Sequence, residues 1–150
     1  MGRPTLYLTH VSVRRPGFVG PGRKWTIMAL PRRWERQEGD VRALLPSPAA
    51  LRAVKDGTMT ESAYFDQYNA SLRGLCTSFP SMLEPGHLSA FEYIKHLPGV
   101  LVSDGDTLTC GGSCSIEHAR EGRCHRTHAA PFLVRAGWRV ILDGVEVAGG

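Results

Sequence analysis

The sequence predicts an α/β fold: a single compact domain spanning residues 1–150, built on a small, mostly parallel sheet flanked by helices, with a hairpin signal near the C-terminus. Three observations carry that expectation. Short β-rich runs alternate along the chain with capped, periodic helical segments, the order that builds parallel sheets. A length of 150 residues with 42% apolar content suits one hydrophobic core. No internal repeat, low-complexity run or domain linker divides the chain.

The elements follow in order. "TLYLTHVSV" alternates and is β-rich, and "KWTIMAL" is a short apolar run bounded by the Pro/Gly-rich "RRPGFVGPGRK" and by Pro31; both read as strands. "SPAALRAVKDG" reads as a short helix, with Ser47 as N-cap, Pro48 at the first helical position and Gly57 past the end. "TMTESAYFDQYNASLRG" has Thr58 and Glu61 in capping-box spacing, Phe65, Tyr68 and Leu72 on one face, and Gly74 as terminator. "EPGHLSAFEYIKHLPG" repeats the pattern between Pro85 and Pro98-Gly99. The aromatic residues of these faces belong to the core rather than to a ligand. "GVLVSDGDTLTC" holds two β-runs around Asp104-Gly105, either a hairpin or a strand reached through a loop. A helical "APFLVRAG" then precedes "WRVILDGVEV", where Asp143-Gly144 is the hairpin signal.

Charge and cysteine usage narrow the setting. No run of 18 apolar residues exists, and "MGRPTLYLTHVSVRR" carries charge where an export signal needs a continuous apolar stretch, so the expectation is a cytoplasmic protein with no membrane partner. In that compartment Cys76, Cys110, Cys114 and Cys124 are expected as reduced thiols. The net charge of +4 is uneven: residues 1–42 hold nine Arg/Lys against Glu35, Glu38 and Asp40. Such a basic end suits polyanions, although a solvated face is the simpler reading.

The stretch "CSIEHAREGRCHRTH" concentrates the chemistry. Cys110, Cys114, Cys124 and His128 follow Cys-x3-Cys-x9-Cys-x3-His, a ligand set that zinc accepts, with His118 and His125 as spare ligands. The same residues support a reactive thiol: Arg123, His125 and Arg126 surround Cys124 at a helix start, where positive charge and the helix dipole favour thiolate. A third use is anion docking at that helix start through Arg126. Pro131 constrains the helix, which must either begin near His128 or bend.

These residues also carry a resemblance. Leu108 and Cys110, then Cys124-His125-Arg126, then Gly137 and Val140, resemble the motif order of domain-of-unknown-function family 488, and "RKWTIMALPRRW" with "PSPAALRAVKDGTMTESAYFDQYNASL" is similar to its short, YeaO-like branch. The likeness covers most of residues 25–142 and implies a site where the Cys110 strand end meets the Cys124-His125-Arg126 helix start, in keeping with ligand binding at strand carboxyl ends. Two departures stand out: Ala29-Leu30-Pro31-Arg32 lacks the family's Asp, and Cys114 is an addition.

The functional expectation is a small enzyme or ligand-binding protein for a phosphorylated small molecule or nucleic-acid-type substrate. Cys124 would be the reactive thiol, His125 the proton carrier and Cys110 a second thiol, with Arg126, Arg32 and Arg33 as anion contacts. The alternative is a non-catalytic module in which zinc, on Cys110, Cys114, Cys124 and His128, organises a loop for nucleic acid or protein. In a third reading the basic N-terminal region alone does the binding.

Overall fold

The computed structural model describes residues 4–10, 17–27, 44–78, 104–111, 121–135 and 137–148. Among these residues five strands form one sheet: β1 (Thr5–His10), β2 (Lys24–Thr26), β3 (Thr107–Cys110), β4 (Arg139–Leu142) and β5 (Val145–Glu146), in the order β2-β3-β1-β4-β5. All neighbours are parallel except β4 and β5. The helices among the described residues are α1 (Pro48–Lys55), α2 (Glu61–Ser78) and α3 (His125–Arg135). The expected α/β architecture with a mostly parallel sheet is what the chain forms.

Burial explains the strand order. β3 is buried at all four positions, as a strand enclosed in a parallel sheet should be, whereas both residues of β5 are exposed at the edge. Leu6, Leu8, Trp25, Ile27, Leu108 and Val140 meet Phe132 and Leu133 of α3 and Tyr68 and Leu72 of α2 in one core. Because β3 has parallel partners on both edges, it is reached through the turn at Asp104-Gly105 and does not belong to a hairpin. Behind that turn the carboxylate of Asp106, 2% exposed, accepts from the Trp25 indole at 2.7 Å and from the Arg23 backbone at 2.9 Å, tying β2 to β3.

Helix ends follow the cap chemistry, with two corrections. Ser47 Oγ accepts from the Ala50 N–H at 3.2 Å, and Gly57 (φ +80°) closes α1 while Thr58 N–H bonds Ala53 O at 2.9 Å, as a Schellman motif requires. Thr58 thus ends α1, and the cap of α2 is Thr60, whose Oγ1 accepts from the Ala63 N–H at 3.1 Å. Gly74 does not stop α2, which runs on to Ser78; a glycine with helical φ lowers propensity without breaking the ladder. The third expected helix, over residues 84–99, lies outside the described residues.

α3 begins at His125 with Cys124 just ahead of it, so a start near His128 is corrected and Pro131 sits inside the helix, at its seventh residue. The helix ends in a second Schellman arrangement at Gly137 (φ +107°), with Trp138 N–H on Leu133 O at 3.1 Å. The Asp143-Gly144 hairpin forms as expected: φ is +49° and +82°, and Leu142 pairs with Val145 across a two-residue loop. No helix among the described residues is long and apolar enough to cross a membrane.

Candidate functional site

The carboxyl ends of β1 and β3 lie side by side, with His10 in register with Cys110. From there the chain diverges, β1 leading on to β2 at one edge and β3 leading through α3 to β4 on the other side of β1. Such a point is where open α/β sheets hold ligands. Here α3 brings its first residues against the end of β3, and five polar side chains from β1, β3, the start of α3 and the β4–β5 turn meet.

Cys110 and Cys124 come together with their sulfurs 3.3 Å apart, 0% and 1% exposed and not joined in a disulfide. Arg126 spans the group. Its Nη1 donates to Cys110 Sγ at 2.7 Å and to Cys124 Sγ at 3.1 Å, while Nε and Nη2 donate to Asp143 Oδ2 at 3.2 and 3.1 Å. The second carboxylate oxygen of Asp143 accepts from Thr9 Oγ1 at 3.1 Å. Arg126 is fully buried and Asp143 is 8% exposed, so the guanidinium has exchanged water for one carboxylate and two sulfurs. Burial pulls its pKa down, but the negative charge of Cys110, Cys124 and Asp143 outweighs burial and holds the guanidinium above its already high ordinary value.

The remaining expected residues take other places. His125, buried, donates its Nε2 proton to the Ile27 carbonyl at 2.6 Å and meets the Tyr68 ring edge to face at 5.6 Å. That proton is committed to the backbone, which sets the tautomer. His128 Nε2 donates to Gly122 O at 2.9 Å, its Nδ1 accepts from the Asn69 side-chain amide at 3.1 Å, and its ring stacks on Phe65 at 4.5 Å. Both ring nitrogens therefore tie α3 to α2 and to the preceding turn. Cys114, His118, Arg32 and Arg33 lie outside the described residues, as does the Cys76 side chain. Among the described residues no three His, Cys, Asp or Glu side chains converge as a metal site would need.

Two contributors carry no local signal in the sequence. Asp143 reads there only as half of a turn, yet it is the carboxylate that faces Arg126. Tyr68 reads as a core aromatic, and it is one, but its hydroxyl donates to Leu44 O at 2.7 Å. Burial raises the Tyr68 pKa well above the usual tyrosine value, and the negative charge of Tyr64, Cys124 and Cys110 adds to it.

A stability test follows from Tyr68. An unfolded tyrosine ionises near pH 10, whereas the native phenol stays neutral to higher pH, so its contribution is complete below about pH 10 and is lost as pH rises through the native value. Tyr68→Phe is expected to cost about 1 kcal/mol at pH 7 for the lost hydrogen bond, and to flatten the alkaline decline. Denaturant titrations at stepped pH check this; parallel declines in the two proteins would refute it.

The chain matches no protein-family model, no curated protein and no solved structure. What the site can do follows from its own atoms. Arg126 and the N-terminus of α3 both favour negative charge on Cys124, while Asp143 fixes the guanidinium and takes up its charge on the far side. The arrangement can hold a proton between two sulfurs and release it to leave a nucleophilic thiolate.

Proposed function

We propose that this chain is a small cytoplasmic enzyme or ligand-binding protein, related to domain-of-unknown-function family 488, that works through Cys124 as a reactive thiol on a phosphorylated or nucleic-acid-type substrate. The observation that carries the reading is the contact of one buried guanidinium with both sulfurs, at 2.7 and 3.1 Å. A buried charge network is seldom the most stabilising filling for a core, since apolar side chains of similar volume do as well or better. Its chemical return here is a favoured thiolate at a helix N-terminus beside strand carboxyl ends. Cys110 acts as the second thiol. The basic residues 1–42, including Arg32 and Arg33, supply attraction for an anionic substrate.

The zinc reading fits the same atoms less well. A cation on Cys110 and Cys124 would have to displace or face the guanidinium at hydrogen-bond distance from both, and His128 would have to give up the hydrogen bond at the nitrogen that bound the metal. Chelation separates the two readings: an unchanged melting temperature is expected, and a large fall would favour the zinc module.

The direct test is the alkylation of Cys124 by iodoacetamide at pH 7, followed by peptide mass spectrometry. Fast labelling at Cys124 is expected, abolished in Cys124→Ser and slowed severalfold by inorganic phosphate or a short single-stranded oligonucleotide. Labelling no faster than that of an ordinary unfolded thiol would sink the reactive-thiol reading. Labelling indifferent to both anions would remove the substrate class.

A further inference from the structure

We propose that Cys110 and Cys124 are a reversible dithiol/disulfide couple, a second chemical state of this site written by hydrogen peroxide. A disulfide needs its sulfurs at about 2.05 Å. The two thiols already stand at 3.3 Å, one on the last residue of β3 and the other immediately before α3. Closing the gap is work for side-chain torsions at two element ends, not for the core of either element. Arg126 touches both sulfurs from one nitrogen, so whichever thiol gives up its proton keeps a donor while the other approaches.

Burial selects the oxidant. With exposures of 0% and 1%, the pair is reached only through local opening, and peroxide, like other small reagents, needs a smaller opening than a bulky disulfide such as oxidised glutathione. The steps balance without another reagent. The Cys124 thiolate attacks one peroxide oxygen; an S–O bond forms, the O–O bond breaks, and hydroxide leaves and is protonated to water. The Cys110 thiol, giving up its proton, then attacks the sulfenic sulfur; the S–S bond forms and the S–O bond breaks, releasing a second water. Two thiols lose two electrons in all, and peroxide takes them up.

Formation of the disulfide needs only the paired geometry and a thiolate at one of the two sulfurs. That it switches the protein off rests on the reactive-thiol reading of Cys124, because the bonded sulfur is no longer a nucleophile. The closed state would also fasten the start of α3 to the end of β3.

The test treats the full chain with a small excess of hydrogen peroxide, blocks remaining thiols with N-ethylmaleimide in denaturant, and maps peptides without reduction. The expected product is a cross-linked Cys110–Cys124 peptide two hydrogens lighter than the free pair, reversed by dithiothreitol, with Cys76 and Cys114 still alkylated. Oxidised glutathione at equal concentration should produce at least tenfold less. Accumulation of Cys124 sulfinic acid with Cys110 still alkylated would overturn the proposal, and so would dominant links through Cys114 or Cys76. In Cys110→Ala, which leaves no resolving thiol, Cys124 should pass on to sulfinic acid; a variant in which Cys124 escapes sulfinic acid as it does in the wild type would count against it. The disulfide without anion protection of Cys124 would sink the substrate reading alone, and protection without the disulfide would sink the couple alone.

Discussion

Asp143→Ala is expected to lower folding stability by about 3–5 kcal/mol, the size of loss seen when one member of a buried ion pair is removed. Arg126 is fully buried, and the carboxylate 3.1 Å away is the negative charge that faces its Nε and Nη2. Without it the cation stays in the core, still in contact with the two sulfurs but without a carboxylate at Nε and Nη2. Part of the loss is conformational: Asp143 has φ +49°, a region that Asp and Asn tolerate and Ala disfavours by about 1–2 kcal/mol. Asp143→Asn separates the backbone cause from the rest, since it keeps the turn and the acceptor to Thr9 while removing the charge and the acceptor oxygen that faces Arg126. Chemical denaturation at pH 7 should rank wild type above Asn and Asn above Ala. Equal stability of wild type and Asn would mean that the charge contributes nothing.

The second large effect is on reactivity. Arg126→Met, combined with Asp143→Asn so that no carboxylate is stranded, should fold with stability near or above the Asn variant, because apolar replacement of a buried ion pair is often neutral or favourable. Its Cys124 alkylation at pH 7 should fall at least tenfold, and the pH at which labelling becomes fast should move upward. The sign follows from the guanidinium stabilising the thiolate over the thiol, so that its removal leaves burial to favour the protonated form. A labelling profile unchanged in both rate and pH would show that Arg126 is a packing residue with a charge and not an activator.

Local chemistry was legible in the sequence wherever one segment contains its own cause. Ser47-Pro48 and Gly57 bound α1, and Asp143-Gly144 makes the hairpin, because caps and two-residue turns are decided by neighbours in the chain. The motif Cys124-His125-Arg126 does open a helix, and Cys110 does end a strand. What could not be read is everything that depends on who meets whom. The strand order rests on non-local pairing, and the Thr9 contact with Asp143 joins residues 134 apart. Arg126 is the plainest case: arginine is a surface residue by default, and only the fold shows that it points inward to two sulfurs and a carboxylate. Thr58 shows the same limit at short range, since two helices competed for one cap and the end of α1 took it.

The Asp143 turn has a consequence for the order in which the molecule is made. Thr9 lies in β1, the earliest of the described strands to be synthesised, and Asp143 follows β4, so the charge balance around Arg126 closes only when β4 has docked on β1 and the hairpin has turned. Contacts of such wide separation form late, after loop closure has been overcome. Until then the nascent chain carries the two thiols and the arginine without their counter-charge, and the chemistry of this site belongs to the finished sheet rather than to the short motif that first suggests it.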